Sequence, residues 1–306
     1  MARVAGIDCG TNSIRLLVAD PGPDGLIDVH REMRVVRLGQ DVDRTGRLAP
    51  EAIERTRRAL VDYADLIRTL GARSVRMVAT SASRDAENAE DFVAMVRATL
   101  GVAPEVISGA EEAQLSFTGA VAGLPGVADP LLVADIGGGS TELVLGSPAQ
   151  HQAFSSFSMD VGCVRMTERH LRSDPPEAEQ IAATVSDLQA ALDVAAKEVP
   201  VAEAAAFVGV AGTVTTIAAI ALGLDHYDAD AIHGSVLSLA QVSEVTTDLL
   251  SMTRGQRAAL PVMHPGRVDV IGGGALVLRT VMEFVGATEV IVSEHDILDG
   301  IALSLW

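Results

Sequence analysis

One glycine-rich turn between two apolar runs combines backbone N–H donors with two flanking carboxylates. The run Leu131-Leu132-Val133-Ala134-Asp135-Ile136 leads through Gly137-Gly138-Gly139-Ser140 into Thr141-Glu142-Leu143-Val144-Leu145. Apolar runs of this length predict buried strands, and three glycines let the backbone turn tightly and bring its N–H groups close to a ligand. Because Asp135 and Glu142 flank the turn, the layout suits a phosphate held by N–H groups and a divalent cation held by carboxylates. An ordinary glycine-rich hairpin with solvated acids is the alternative.

A second copy of this pattern lies near the N-terminus. The chain there reads Asp8-Cys9-Gly10-Thr11-Asn12-Ser13-Ile14-Arg15, so that Asp8 aligns with Asp135 and the positive Arg15 aligns with the negative Glu142. The repeat predicts two related domains that face each other across a cleft. Neither copy contains the Gly-Lys-Ser/Thr of a P-loop, and an apolar run stands where the helix of a dinucleotide-binding turn would begin.

Composition excludes several classes of partner. The 306 residues predict about two domains, and the net charge of −18 with only 3% aromatic residues argues against binding to nucleic acid or to anionic membranes. The uncharged segment 204–224 is interpreted as strand, turn and buried helix rather than a membrane span. Cys9 and Cys163 are expected to be buried, reduced thiols, and the N-terminus enters a strand directly. Together these features predict a cytoplasmic protein without a signal peptide.

Alternating strand and helix patterns predict an α/β chain. A helix is expected to begin at Pro50 and end at Gly71, Thr80-Ser81-Ala82-Ser83-Arg84-Asp85 to form a hydroxyl-rich loop, and Asn88 to cap a further helix. Two prolines and two glycines in 123–130 mark the boundary between domains. We therefore predict domains at 1–128 and 129–295, with the C-terminal helix 296–306 joining the first.

Four stretches, taken in order, resemble one family. They are Asp8 to Arg15, Thr80-Ser81-Ala82-Ser83-Arg84-Asp85-Ala86, Ile107-Ser108-Gly109-Ala110-Glu111-Glu112-Ala113, and Asp135 to Glu142. The whole chain resembles the sugar kinase/Hsp70/actin superfamily, and these motifs resemble its exopolyphosphatase/guanosine pentaphosphate phosphatase (Ppx/GppA) family in the short, two-domain form. The resemblance implies an α/β fold of two actin-like ATPase (ribonuclease H-like) domains with an active-site cleft between them, and it implies a homodimer.

The same resemblance implies an activity. It is the metal-dependent removal of the terminal phosphate from inorganic polyphosphate, or of the 5′ γ-phosphate from guanosine pentaphosphate. The net charge of −18 leaves little basic surface outside the motifs that are expected to bind phosphate. Short polyphosphates are therefore expected to be favoured. A kinase of the same superfamily is the rival enzyme, and it would require an adenine slot. A nucleotide-binding filament or chaperone protein is the non-enzymatic alternative.

Residue roles follow from the matching motifs. Glu112 matches the catalytic Glu of the family, which would orient and deprotonate a water. The alternative is a carboxylate without a catalytic role that the helix dipole favours near the N-terminus, and this interpretation suits Glu111 better. Asp135 and Glu142 are the candidates for Mg²⁺ or Mn²⁺, and Asp8 is either a third metal contact or a brace for its turn.

The phosphate-binding candidates are the hydroxyl, glycine and arginine residues of the motifs: Thr11, Asn12, Ser13, Arg15, Arg84, Gly138, Gly139, Ser140, Gly212 and Thr213. For Gly212 and Thr213 a buried packing turn is an alternative interpretation. Arg165 and Arg267 are further phosphate candidates, for which a surface ion pair is an equal interpretation.

Overall fold

The chain divides into two compact units in a computed structural model that describes residues 2–23, 25–124, 126–150 and 152–306. The first unit comprises Met1–Ala122 and Asp296–Trp306, and the second comprises Gly123–His295. The division therefore precedes the boundary predicted at 128/129. The intervening residues are tied to the second unit, because the Gly123 carbonyl oxygen lies 2.7 Å from His233 Nε2 and the Asp129 carboxylate accepts a hydrogen bond from Ser147. Pro125 of the predicted linker lies outside the described residues.

The first unit is a five-stranded sheet with helices. Its strands are β1 (Val4–Cys9), β2 (Ser13–Gly22), β3 (Gly25–Val35), β4 (Ser74–Ala79) and β5 (Glu105–Val106), in the order β3-β2-β1-β4-β5. Its helices are α1 (Val42–Thr45), α2 (Pro50–Leu70), α3 (Ser81–Asp85), α4 (Ala89–Leu100), α5 (Gly109–Ala122) and the C-terminal α13 (Ile297–Leu303).

The second unit is built on a six-stranded sheet. Its strands are β6 (Leu131–Ile136), β7 (Thr141–Ser147), β8 (Gln152–Met159), β9 (Ala206–Val210), β10 (Val236–Ser238) and β11 (Glu289–Val292), in the order β10-β11-β9-β6-β7-β8. Its helices are α6 (Cys163–His170), α7 (Ala178–Ala195), α8 (Ala211–Ala221), α9 (Ala229–Ile232), α10 (Leu239–Ser251), α11 (Arg254–Ala258) and α12 (Ile271–Val285), with a short 3-10 helix at Val201–Glu203.

The two sheets repeat one plan. In each unit an antiparallel meander, β1-β2-β3 or β6-β7-β8, is extended by two strands that run parallel to its first member, which are β4 and β5 in the first unit and β9 and β11 in the second. In the second unit the short outer strand β10 then pairs antiparallel with β11. The central strands β1, β6 and β7 are buried along their whole length, as their apolar runs predicted. The predicted α/β class with two related units is therefore confirmed. Within the described part of the chain, each helix is too short or too polar to cross a membrane.

Several local predictions are confirmed and others are corrected. Helix α2 begins at Pro50, and Gly71 ends it in the left-handed conformation with φ 74°. The predicted loop 80–85 is instead mostly the short helix α3. Asn88 does precede α4, but its side chain makes no capping bond. Its amide exchanges two hydrogen bonds with the backbone of Leu48, at 2.8 and 3.1 Å, because that loop backbone competes for it.

A close helix crossing holds the C-terminal helix in the first unit. A Cβ atom placed on Gly119 of α5 would lie 1.8 Å from the Asp296 carbonyl oxygen, and one placed on Gly300 of α13 would lie 2.0 Å from the Leu115 carbonyl oxygen. Real Cβ atoms do not tolerate such distances, so the backbones meet only because both positions are glycine. The crossing fixes α5, the helix whose first turn carries Glu112.

We expect Gly119→Ala to destabilise the protein, because the added methyl group meets backbone that cannot move aside. The expected loss is at least about 1–3 kcal/mol in the free energy of unfolding, measured by chemical denaturation. Gly255→Ala in α11 is the control, since its nearest neighbour would be the Thr253 hydroxyl oxygen at 4.0 Å. This control should be neutral or slightly stabilising. Equal losses in the two variants would contradict the crossing.

Candidate active site

The turn between β1 and β2 is tied to the loop that follows β3. The Asn12 carbonyl oxygen accepts hydrogen bonds from the N–H groups of Val36 and Arg37 at 3.0 and 2.8 Å, and the Thr11 carbonyl oxygen accepts one from Gly39 at 2.8 Å. The Thr11 hydroxyl also lies 2.9 Å from the Ser81 hydroxyl at the start of α3. These contacts hold the predicted phosphate-binding turn, including Ser13 at the start of β2, in one conformation.

Arg15 is half-buried and forms ion pairs with buried carboxylates in the first unit. Because β1 pairs with β2 in antiparallel register, Arg15 stands directly opposite Asp8, and its Nε and Nη2 donate to Asp8 Oδ2 at 2.9 and 2.7 Å. Its Nη1 donates to the Asp296 carboxylate. Burial raises the pKa of the Asp8 carboxyl, an effect that Arg15 opposes. Arg15, predicted as a phosphate ligand, thus contacts two carboxylates, and the contact of Asp8 with Arg15 is compatible with the bracing role that was its alternative.

Glu112 is held by Arg84 at the start of α5. Its buried carboxylate accepts a hydrogen bond at 2.9 Å from Arg84 Nη1, which also donates to the Ile107 carbonyl oxygen at 3.1 Å. Arg84 was assigned to phosphate, and this contact with the candidate base was not foreseen. The neighbouring Glu111 is exposed and pairs with Arg76 at 2.8 Å, as expected for an ordinary helix acid.

Asp135 and Glu142 form the corresponding pair in the second unit. They face each other in the antiparallel register of β6 and β7, which places their Cβ atoms about 4.5–5.5 Å apart. Both carboxylates are buried, and Ser158 on β8 donates a hydrogen bond to Glu142 Oε1 at 2.6 Å. They occupy the register position that Asp8 and Arg15 hold in the first unit. Because a glutamate stands where the first unit has an arginine, this position presents two carboxylates, whose oxygen atoms suit a hard cation.

This donor set fits magnesium or manganese. Mg²⁺ is commonly bound by one or two carboxylates, with waters and substrate phosphates completing an octahedron. Over the residues that the structure describes, no group of three or more His, Cys, Asp and Glu side chains is arranged to hold a metal by protein ligands alone. The pair of Asp135 and Glu142, with the Ser158 hydroxyl beside it, therefore suits an ion that shares its shell with substrate.

The glycine turn of the second unit rests on the start of α6. The N–H groups of Cys163 and Val164 donate to the carbonyl oxygens of Gly137 and Gly138 at 3.0 and 2.8 Å. Arg165 Nε donates to the Gly139 carbonyl oxygen at 2.7 Å, so Arg165 supports the glycine turn. Ser140 is buried, and its backbone carbonyl oxygen closes the turn by accepting a hydrogen bond from the Gly137 N–H at 3.0 Å.

Gly212 and Thr213 lie in the first turn of α8, rather than in a turn before it. Arg267 covers Gly212, because a Cβ atom there would lie 2.1 Å from Arg267 Nη2, and Arg267 Nη1 donates to the Thr216 hydroxyl at 2.9 Å. Thr213 is buried and packs on Gly274, where a Cβ atom would lie 2.6 Å from Thr213 Cγ2. These contacts favour the packing interpretation for Thr213 and place Arg267 beside Gly212.

Sequence reasoning missed two residues that support the site. Ser158 binds Glu142, and it could have been found because it lies in the strand that continues the meander. Gly162 lets α6 approach the glycine turn, since a Cβ atom there would lie 2.5 Å from the Gly138 carbonyl oxygen. No motif marked Gly162, because its requirement comes from a contact made only in the folded unit.

Comparison with known proteins agrees with this geometry. A family model for the Ppx/GppA phosphatase family matches residues 17–306. Exopolyphosphatase 2 of Mycobacterium tuberculosis is 54% identical, in an alignment that covers 100% of this chain and 99% of the relative. The crystal structure of an exopolyphosphatase-like protein superposes with a TM-score of 0.95 at 45% identity, covering 99% of this chain and 97% of the other. A Ppx/GppA family member from Aquifex aeolicus gives a TM-score of 0.82 at 29% identity, with coverage of 99% and 97%.

Proposed function

The chain belongs to the Ppx/GppA phosphatase family, and we propose that it is an exopolyphosphatase that hydrolyses the terminal phosphate of inorganic polyphosphate. The observation that carries this proposal is the buried Glu112 carboxylate, held by Arg84 at the start of α5. Support for the substrate comes from the full-length similarity to a protein named exopolyphosphatase. Two buried free cysteines, Cys9 and Cys163, support action in the reducing cytoplasm.

In the proposed mechanism Glu112 is the general base. Its carboxylate orients a water toward the terminal phosphorus and takes a proton as the new P–O bond forms, while the shortened polyphosphate leaves with the bridging oxygen. Arg84 fixes the direction of the carboxylate through its hydrogen bond at 2.9 Å. Arg84 is therefore a positioning residue for Glu112, and a direct contact with phosphate is its second proposed role.

The remaining residues bind the substrate and its metal ion. Asp135 and Glu142 would hold Mg²⁺ or Mn²⁺, and a bound ion of this kind neutralises charge on the phosphoryl oxygens. Phosphate is proposed to contact the two glycine and hydroxyl turns through Thr11, Asn12, Ser13, Gly138, Gly139 and Ser140. Arg267 beside Gly212 is a further candidate, because its guanidinium lies at the start of α8.

Substrate preference tests the proposal directly. We expect phosphate release from polyphosphate to exceed release from ATP, with guanosine pentaphosphate as the second candidate substrate because it presents the same terminal phosphoanhydride.

Because the chain carries a charge of −18, phosphates remote from the site should add little affinity beyond a Debye length of about 8 Å. Short chains should therefore be favoured, and kcat/KM per chain end should stay nearly constant as length increases. Kinetics on chains of defined length at constant free metal check this, and a steep rise with length would contradict it.

Replacement of the base should abolish turnover without loss of fold. We expect Glu112→Gln to lower kcat by about 10²–10⁴-fold while KM changes little, because the amide cannot accept the proton. Glu111→Gln is the matched control, since it is the adjacent residue of the same helix turn and is exposed. Activity of Glu112→Gln within a few-fold of the control would rule out the base assignment.

Metal removal should also abolish turnover. Chelation is expected to stop hydrolysis and added Mg²⁺ or Mn²⁺ to restore it, since backbone N–H groups alone cannot balance a pyrophosphate. Asp135→Asn and Glu142→Gln should each raise the metal concentration needed for half activity, whereas Asp193→Asn on the exposed face of α7 should not. Direct metal binding by calorimetry separates this effect from a loss of catalysis. Full activity in excess chelator would contradict the assignment.

A further inference from the structure

Arg267 lies in the second unit without an acidic partner. Its Nη1 donates to the Thr216 hydroxyl at 2.9 Å, and none of the described carboxylates forms an ion pair with it. Three other arginines of this unit are paired with aspartates at 2.7, 2.6 and 2.9 Å, namely Arg169, Arg254 and Arg257. A guanidinium presents its N–H donors in a planar arrangement that fits an oxyanion. The half-buried Arg267 is therefore available to an anionic ligand.

The backbone on both sides of Arg267 is held by hydrogen bonds. Its N–H donates to the His264 carbonyl oxygen at 2.8 Å, which closes a β-turn over residues 264–267. The carbonyl oxygen of the next residue, Val268, accepts from Nε of the buried Arg257 at 3.1 Å. Because the Cα atoms at the two ends of a β-turn lie within about 7 Å of each other, the side chains of His264 and Arg267 start from neighbouring positions.

The tautomer of His264 is set inside this turn. Gly266 donates its N–H to His264 Nδ1 at 3.1 Å, so the proton of the neutral ring is on Nε2. In the part of the chain that the structure describes, Nε2 has no hydrogen-bond partner, and Arg267 is the charged group that acts on the ring. Partial burial and the charge of Arg267 lower the pKa of His264, which keeps the ring neutral at pH 7. His264 thus offers one N–H donor near a guanidinium.

We propose that His264 and Arg267 bind the same phosphate group of the substrate, His264 donating from Nε2 and Arg267 from its guanidinium. The identity of the anion rests on the proposed function, and His264 is added to the residues that contact substrate. Gly212 supports this placement, because the Arg267 guanidinium covers a residue of the motifs predicted to bind phosphate. Phosphoryl oxygens can accept from both side chains at once. The bound phosphate would also add negative charge beside the ring, so that binding and protonation of His264 favour each other.

The test measures the binding of imidodiphosphate, a pyrophosphate analogue whose P–N–P bridge resists hydrolysis. His264→Asn keeps an acceptor for the Gly266 N–H but removes the Nε2 donor, and it should weaken binding about tenfold, as expected for one hydrogen bond to a charged group. His264→Gln places an amide N–H donor near the former Nε2 and should retain most of the affinity. His226→Asn is the matched control, since His226 is exposed and pairs with Asp225. Calorimetry gives the affinities, and thermal unfolding confirms that each variant is folded.

The pH dependence separates a contact with the ligand from a structural role of His264. As the pH falls from about 8 to about 6, the wild type should gain affinity relative to His264→Gln, because only the wild type can take up a proton on this ring. The ratio of the two affinities cancels the protonation of the ligand itself. In nitrogen-15 spectra of histidine-labelled protein, imidodiphosphate should raise the pKa of His264 by at least about half a unit.

Two results would overturn the proposal: wild-type affinity in His264→Asn, or a titration of His264 that imidodiphosphate leaves unchanged. Phosphate release from polyphosphate is measured separately on the wild type. If no phosphate is released and binding still depends on His264, the proposed activity is wrong while the binding pair of His264 and Arg267 stands.

Discussion

Residues that face each other across the central hairpin of each unit set the chemistry of this protein. Antiparallel register places Asp8 opposite Arg15 in the first unit and Asp135 opposite Glu142 in the second. In the first unit the pair joins an arginine to a carboxylate and is part of the framework. In the second unit the same register position brings two carboxylates together beside the glycine turn. Carboxylate oxygens are the ligands that Mg²⁺ prefers, so this position suits a divalent cation.

The framework pair extends to the proposed base through a continuous chain of contacts within the first unit. Arg15 binds the Asp296 carboxylate, and the side chain of Asp296 also caps α13 by accepting from the Leu298 N–H at 3.0 Å. The Asp296 carbonyl oxygen lies against Gly119 of α5, and the first turn of that helix carries Glu112. The ion pair at the hairpin, the C-terminal helix and the position of Glu112 therefore form one packed set. A residue can support Glu112 in this arrangement without touching substrate.

Close backbone approach is the second constraint that recurs at the site. Gly162 brings α6 against the glycine turn, and Gly274 brings α12 against Thr213. At both places backbone or a buried side chain occupies the space that a Cβ atom would need. The turns that the sequence predicts to bind phosphate are thus also places where neighbouring elements pack closely. Their carbonyl oxygens are used by neighbouring elements, and this holds the backbone in shape before any ligand arrives.

Local features of the sequence were sufficient to predict the repeated hairpins, the strands beside them, the helix from Pro50 to Gly71 and the acidic start of α5. These depend on apolar periodicity, turn residues and caps, which act over a few neighbouring positions. The tertiary structure alone decided which charges meet. Arg84 reaches Glu112 across 28 residues, and Arg15 reaches Asp296 across 281. No periodicity encodes such pairs, because they form only when separate elements pack. The sequence indicated Arg15 only as a phosphate candidate, and its contacts with two carboxylates became visible only in the folded chain.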